Sequence, residues 1–161
     1  MKKTDVLTIG GSASGIVTAL TGKSNYADKT FLIVRKEKQV VVPCGIPYIF
    51  GSLENSNQNM IPDTVLENAG IEFIVDEVRN VDTKKKICST SNGSKIQYEK
   101  LVFATGSKVR IPKWLKGADK KNVYTIPKEK EYLDKMINDL SDYKKIVPLV
   151  EGSLGLKFLM N

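Results

Sequence analysis

Histidine is absent from the 161 residues. That removes Ser-His-Asp triads, Cys-His dyads and imidazole metal ligands from the chemistry available within the chain. Cysteine is almost absent, with only Cys44 and Cys88. Two thiols cannot make a four-ligand zinc site. They could close one disulfide, but nothing here suggests a secreted, stapled scaffold. Cysteines this sparse are either buried fillers or reactive thiols. No apolar run approaches the roughly 18 residues of a membrane span. The start, Met1-Lys2-Lys3-Thr4-Asp5, leads only into a short apolar run at 6–9. A secretory signal needs a longer apolar region and a small-residue cleavage site. The expected location is cytoplasmic, with no membrane partner.

Arginine is scarce as well: Arg35, Arg79 and Arg110 are the only three among 25 basic residues. A net charge of +7 and a pI near 9.3 ordinarily suggest nucleic acid. The lysines, however, are scattered over the whole length, with small clusters such as 84–86 near turns. That pattern is a solvated surface, so no nucleic-acid partner is expected, and a cleft for anionic phosphates is a better use of the excess charge. With 41% hydrophobic and 27% charged residues, the composition is that of a globular protein. The length suffices for one domain with a real core.

What is present begins with a βαβ pattern. Residues 5–9, DVLTI, read as a strand, and Gly10-Gly11-Ser12-Ala13-Ser14-Gly15 follows at once. Ile16, Val17, Ala19 and Leu20 form the buried stripe of a helix that ends at 22–25, and 31–34, FLIV, is a second buried strand. Such a unit is parallel and right-handed almost without exception. The segment VVVPCGIPYIFG at 40–51 holds two prolines and two glycines, which rules out a simple strand, and Pro47 suits the first turn of a short helix. Residues 52–61 are polar and Asn-rich, an expected exposed loop. Pro62-Asp63 starts a short helix that Gly70 stops.

From 71 to 104 the pattern predicts a β-meander. It has a strand at 71–78, a turn at 81–83, a strand at 86–89, an Asn92-Gly93 hairpin turn and a return at 95–97. A buried strand at 101–104 ends at Thr105-Gly106. Residues 107–127 read as a connector. A helix follows at 128–140, striped by Tyr132, Leu133, Met136, Ile137 and Leu140. A further strand from 145 leads into a second glycine turn at 152–155.

Gly10, Ser12 and Gly15 fall on the three glycine positions of the dinucleotide fingerprint G-x-G-x-x-G. Gly10 permits the tight turn and Gly15 close helix packing. A serine stands where a pyrophosphate approaches the backbone. The free N–H groups at the helix start could then bind the phosphates. The alternative is a glycine-rich turn that packs a βα unit and holds nothing. The acid expected at the end of the second strand for a ribose is replaced by Arg35, with Glu37 two residues on. Either Glu37 reaches the ribose or the contact is lost, and Arg35 could face a phosphate.

Cys44 lies before Gly45-Ile46-Pro47, at the expected start of a helix, and a thiol at a helix N-terminus favours the thiolate. A thiolate attacks disulfides to form a mixed disulfide. Position 49 is Ile, so there is no nearby resolving thiol. The chemistry would be one cysteine cycling through a mixed disulfide, a persulfide or a sulfenic acid. A buried structural cysteine is the alternative, and it is the favoured reading for Cys88.

Three segments together resemble the N-terminal part of the FAD- and NAD(P)H-dependent pyridine nucleotide-disulfide oxidoreductases, in particular the single-cysteine branch of coenzyme A-disulfide reductase and its NADH oxidase and persulfide reductase relatives. They are IGGSASG at 9–15, VPCGIPYIFGSL at 42–53 and YEKLVFATGSKVRIP at 98–112. The resemblance implies an α/β fold: a Rossmann-like, FAD-binding, three-layer parallel sheet with an inserted antiparallel β-meander. It implies that Gly10, Ser12, Ala13 and Gly15 contact the FAD pyrophosphate, and that Ala104, Thr105 and Gly106 line the adenine side. Arg35, Glu37 and Pro43 are further expected cofactor contacts. Cys44 would lie over the isoalloxazine and take electrons from reduced flavin. Coenzyme A would meet Ser14, Lys23 or nearby lysines.

The expected organisation is a flavin domain with cysteine loop and meander at 1–112, a connector and helix at 113–144, and the cut-off start of an NAD(P)H domain at 145–161. There Val150-Glu151-Gly152-Ser153-Leu154-Gly155 is similar to a nicotinamide fingerprint with Val150 in place of its first glycine. The family's later flavin segment and its homodimerisation domain are not in the sequence. The expected activity is therefore that of part of a disulfide oxidoreductase, with coenzyme A disulfide or a persulfide as the small partner. The alternatives are a non-catalytic nucleotide-binding remnant and a flavin-independent thiol sensor.

Overall fold

A computed structural model describes residues 1–53 and 55–147. The second glycine turn at 152–155 lies outside the described residues. The chain forms two compact units. The first combines Met1–Val40 with Ile61–Gly106, and the second combines Val41–Met60 with the chain from Ser107 onward.

In chain order the elements are β1 (Lys2–Ile9), α1 (Ala13–Asn25), β2 (Phe31–Arg35), β3 (Val40–Val41), α2 (Ile46–Ile49), β4 (Met60–Ile61), α3 (Thr64–Asn68), β5 (Glu72–Val75), β6 (Val78–Asp82), β7 (Ile87–Thr90), β8 (Lys95–Phe103) and α4 (Lys130–Leu140). Short 3-10 turns lie at Pro43–Gly45 and Ser56–Asn59. The first unit is built on a six-stranded sheet of order β5-β2-β1-β8-β7-β6, and β3 pairs with β4 separately. β1 runs parallel to β2 and β8, and β2 parallel to β5. β6, β7 and β8 are antiparallel. The fold is thus α/β with a largely parallel sheet and an antiparallel extension.

Side-chain alternation explains why the C-terminal half of β1 and most of β2 are apolar. Leu7, Ile9, Leu32 and Val34 face one layer with Cys88, Ile96 and Tyr98 from the meander. Phe31 and Ile33 face the other layer with Ile16 and Ala19 of α1 and Leu66 of α3. A strand buried on both faces has no polar side to show.

The meander begins one strand later than its sequence pattern suggests. The stretch 71–78 divides: β5 joins the parallel edge beside β2, and the antiparallel part starts at Val78. β8 is one continuous strand, not two, because its residues Ile96 to Phe103 pair with β1 along its length. The turn after β6 falls at 83–86, with Lys86 at φ 53°.

In the second unit Val41, Ile46, Ile49 and Leu133 form a small core, with Phe50, Leu53, Met60, Ile126 and Ile137 packed against it. The polar stretch at 52–61 is not a plain exposed loop, since Ser56 and Asn59 are buried. Ser56 donates its hydroxyl to Asp134 of α4, whose other carboxylate oxygen takes Lys130 Nζ at 2.6 Å. Burial opposes ionisation of Asp134, but these bonds win and hold its pKa below the ordinary value. Among the described residues, no helix is long and apolar enough to cross a membrane.

Candidate functional site

The first candidate site is the turn between β1 and α1. Gly10 has φ 109°, a conformation an L side chain rarely adopts. A methyl group on Gly10 would also be driven into the carbonyl oxygen of Ala104, and one on Gly15 into the carbonyl oxygen of Gly10. The two glycines therefore let three backbone segments nest: the end of β1, the start of α1 and the exit of β8. The nest is tied by Gly10 N–H donating to the Val34 carbonyl at 2.8 Å and Ala104 N–H to the Ile9 carbonyl at 2.8 Å. Gly106, at φ 70°, turns the chain away.

Ser12 stands at the N-cap of α1 with extended backbone and makes no side-chain capping hydrogen bond. The first turn of a helix leaves N–H groups without intrahelical partners, and the dipole adds positive potential there. Ala13 and Ser14 are exposed. The turn thus offers backbone donors to an anion, and its lack of a cap suits a phosphate or pyrophosphate group.

Not every expected contact stands open to a ligand at this turn. Arg35 is 1% exposed and its guanidinium is engaged: Nη1 donates to Asp63 Oδ1 at 2.7 Å and Nη2 to Asp63 Oδ2 at 2.8 Å. It therefore does not stand as an open phosphate contact. Glu37 is half-buried in the segment after β2. Ser14 lies in the first turn of α1, whereas Lys23 lies in its last. Lys23 Nζ donates to the carbonyls of Ala27 at 2.8 Å and Lys29 at 3.0 Å, so its ammonium closes the C-terminal end of the helix. Asp63 was missed by sequence reasoning. Its link to Arg35 spans 28 residues, and only the missing acid at the end of β2 hinted at it.

The second candidate is the cysteine loop. Pro43, Cys44 and Gly45 form a 3-10 turn that runs directly into α2, with Pro at its start. Cys44 is exposed, and Pro43 is half-buried. Beneath the loop, Asn59 Nδ2 donates to the Val42 carbonyl at 3.0 Å, and Val42 N–H donates to the Asn59 carbonyl at 2.9 Å. The loop therefore holds an accessible thiol on a fixed backbone. Cys88 is 0% exposed within β7, and burial pushes its thiol pKa up. It is a packing residue.

The pyridine nucleotide-disulphide oxidoreductase family matches residues 4–147. The NADH oxidase of Methanocaldococcus jannaschii is 28% identical over 160 residues, covering 92% of this chain and 35% of the relative. The chain thus spans about a third of that relative's length. Among solved structures, a ferredoxin reductase from Rhodopseudomonas palustris superposes with a TM-score of 0.81 at 22% identity, covering 96% of this chain and 39% of its own. An NAD-dependent persulfide reductase from A. fulgidus gives 0.74 at 21% identity, covering 86% and 28% respectively. At these identities the solved structures speak for the fold.

Proposed function

Because the chain belongs to the pyridine nucleotide-disulphide oxidoreductase family, we propose that it supplies the flavin-binding part of an FAD- and NAD(P)H-dependent oxidoreductase acting on a small disulfide or persulfide, with coenzyme A disulfide the first candidate. The observation that carries the reading is the nested turn, in which Gly10 and Gly15 bring β1, α1 and the Ala104 backbone together around an uncapped helix start. In this reading residues 1–112 make the flavin domain with its cysteine loop, 113–144 the connector and helix, and 145–161 lead towards a nicotinamide-binding domain.

The backbone N–H groups of Ser12, Ala13 and Gly15 donate to the pyrophosphate at the helix start, and Gly10, whose own N–H is spent on the Val34 carbonyl, makes the close turn on which it rests. Ala104, Thr105 and Gly106 border the adenine side, where Gly106 at φ 70° keeps side-chain bulk away. When bound, FAD would supply two electrons, drawn from NAD(P)H, for reopening a disulfide at Cys44. Cys44 itself does sulfur chemistry. Its thiolate attacks one sulfur of the substrate, the Cys44–S bond forms as the substrate S–S bond breaks, and the other half leaves as a thiolate that takes a proton from water. Exposure of Cys44 supports this role.

The test is intact-mass spectrometry of the full chain after reaction with coenzyme A disulfide. One coenzyme A adduct per chain is expected, absent in Cys44→Ser, with Cys88 unmodified until the protein is unfolded. No adduct on folded protein, or an adduct that survives Cys44→Ser, contradicts the reading.

A further inference from the structure

In a dinucleotide fold the end of the second strand ordinarily holds a carboxylate for the ribose hydroxyls. Here that place holds Arg35, buried to 1% exposure. A buried cation needs a partner, and Arg35 takes one from elsewhere in the chain. Its fork grips both oxygens of Asp63, at 2.7 and 2.8 Å, and Nη2 also donates to the Lys38 carbonyl at 3.1 Å. The Phe73 ring lies 4.4 Å from the guanidinium carbon and fixes its plane.

The stem of the same side chain supports the glycine turn. A methyl group on Gly11 would come within 2.7 Å of both Cβ and Cδ of Arg35. Gly11 is thus small because Arg35 runs against it. Nε, bonded to that Cδ, is buried and has no hydrogen-bond partner. One residue therefore touches the turn with its stem, carries an unspent donor beside it, and holds a carboxylate with its head.

That carboxylate is not buried with its partner. The Asp63 side chain is 38% exposed, against 1% for Arg35. An ionised carboxylate has about four acceptor sites, and a bidentate arginine uses two. Two remain, on adjacent oxygens, matching the two donors of a ribose diol.

We propose that Asp63, carried to the end of β2 by Arg35, is the carboxylate that accepts the ribose hydroxyls of an adenine nucleotide seated on the 10–15 turn. The acid at the strand end has been exchanged for a cation that recruits one. Arg35 is a positioning residue, acting through Asp63 and through the floor of the turn. The assignment rests on the nucleotide-binding reading of that turn.

Calorimetric titration of the full chain with ADP and with 2′,3′-dideoxy-ADP tests it. The wild-type protein is expected to bind ADP about tenfold more tightly than the dideoxy form, the worth of hydrogen bonds to a charged acceptor. In Asp63→Asn that ratio falls towards one. A purely structural Asp63 would weaken both nucleotides in parallel and leave the ratio unchanged. Because Asp63→Asn strands a buried guanidinium, the double variant Arg35→Met, Asp63→Asn removes both charges and keeps the volume filled. It too should lose the ratio. The rival carboxylate is Glu37, and a ratio that collapses in Glu37→Gln overturns the assignment. So does a wild-type ratio within twofold, or one retained in either Asp63 variant. Failure of the wild type to bind either nucleotide would instead overturn the reading of the turn, and the Asp63 assignment with it.

Discussion

The Asn59 amide occupies the space that a side chain on Gly45 would need: a methyl group there would run into its Oδ1. The same amide donates to the Val42 carbonyl, and the Asn59 carbonyl accepts from the Val42 N–H. One buried residue therefore holds Val42 by two hydrogen bonds and packs against Gly45, on the two sides of Cys44.

Asn59→Ala is expected to destabilise the protein by about 1–3 kcal/mol, because the Val42 carbonyl loses its partner and a cavity opens under Gly45. Gly45→Ala should act in the same direction by pushing the amide aside. Urea midpoints check the stability. Alkylation of Cys44 should become faster or more heterogeneous in both variants as the loop loosens. Wild-type midpoints and rates in both would show that Asn59 does not hold the loop.

Two glycines with positive φ separate conformational strain from collision. At Gly93, φ 81°, a methyl group would meet nothing within 4 Å, whereas at Gly10, φ 109°, it would strike the Ala104 carbonyl. Gly93→Ala should cost about 1 kcal/mol, the strain of the left-handed region alone. Gly10→Ala should cost about 3 kcal/mol or more, since backbone must move. Chemical denaturation of the two variants side by side measures the difference, and equal costs would contradict the nested geometry.

Local pattern made the β1–turn–α1–β2 unit legible, because apolar periodicity and the Gly10–Gly15 spacing are both written within one stretch of chain. The assignment of 71–78 to the meander failed for a physical reason. An apolar stretch such as Phe73-Ile74-Val75 suits a parallel edge and an antiparallel one alike, and only pairing with β2 decides. Ser56 and Asn59 read as loop residues because their partners are remote in sequence: Asp134 lies 78 residues from Ser56, and Val42 lies 17 residues from Asn59. Arg35 is the same case. Its identity at the strand end was visible, but its pairing with Asp63 was not.

Asp5 and Thr30 give a pH dependence with a definite sign. The Thr30 backbone N–H donates to Asp5 Oδ2 at 2.8 Å and the Thr30 hydroxyl at 2.7 Å. These bonds, the backbone one foremost, hold the Asp5 pKa below its ordinary 3.8, with a smaller contribution from Lys29 and some opposition from burial. The folded protein thus binds this proton less readily than the unfolded chain. Its contribution to stability is complete above the unfolded value and is lost as pH falls through the folded one. The gap in urea midpoint between wild type and Asp5→Asn should therefore be widest near neutrality and narrow progressively as pH falls below the ordinary 3.8. A gap that stays constant as pH falls would contradict the assignment.

The central claim is that the turn at 10–15 receives FAD. The most direct measurement is the visible absorption spectrum of the full chain, mixed with FAD and freed of unbound flavin by gel filtration, beside Gly10→Ala treated in the same way. The account predicts a flavin spectrum that travels with the wild-type protein, bleaches on reduction and is absent from Gly10→Ala. Wild-type protein that emerges colourless even from excess FAD would contradict it.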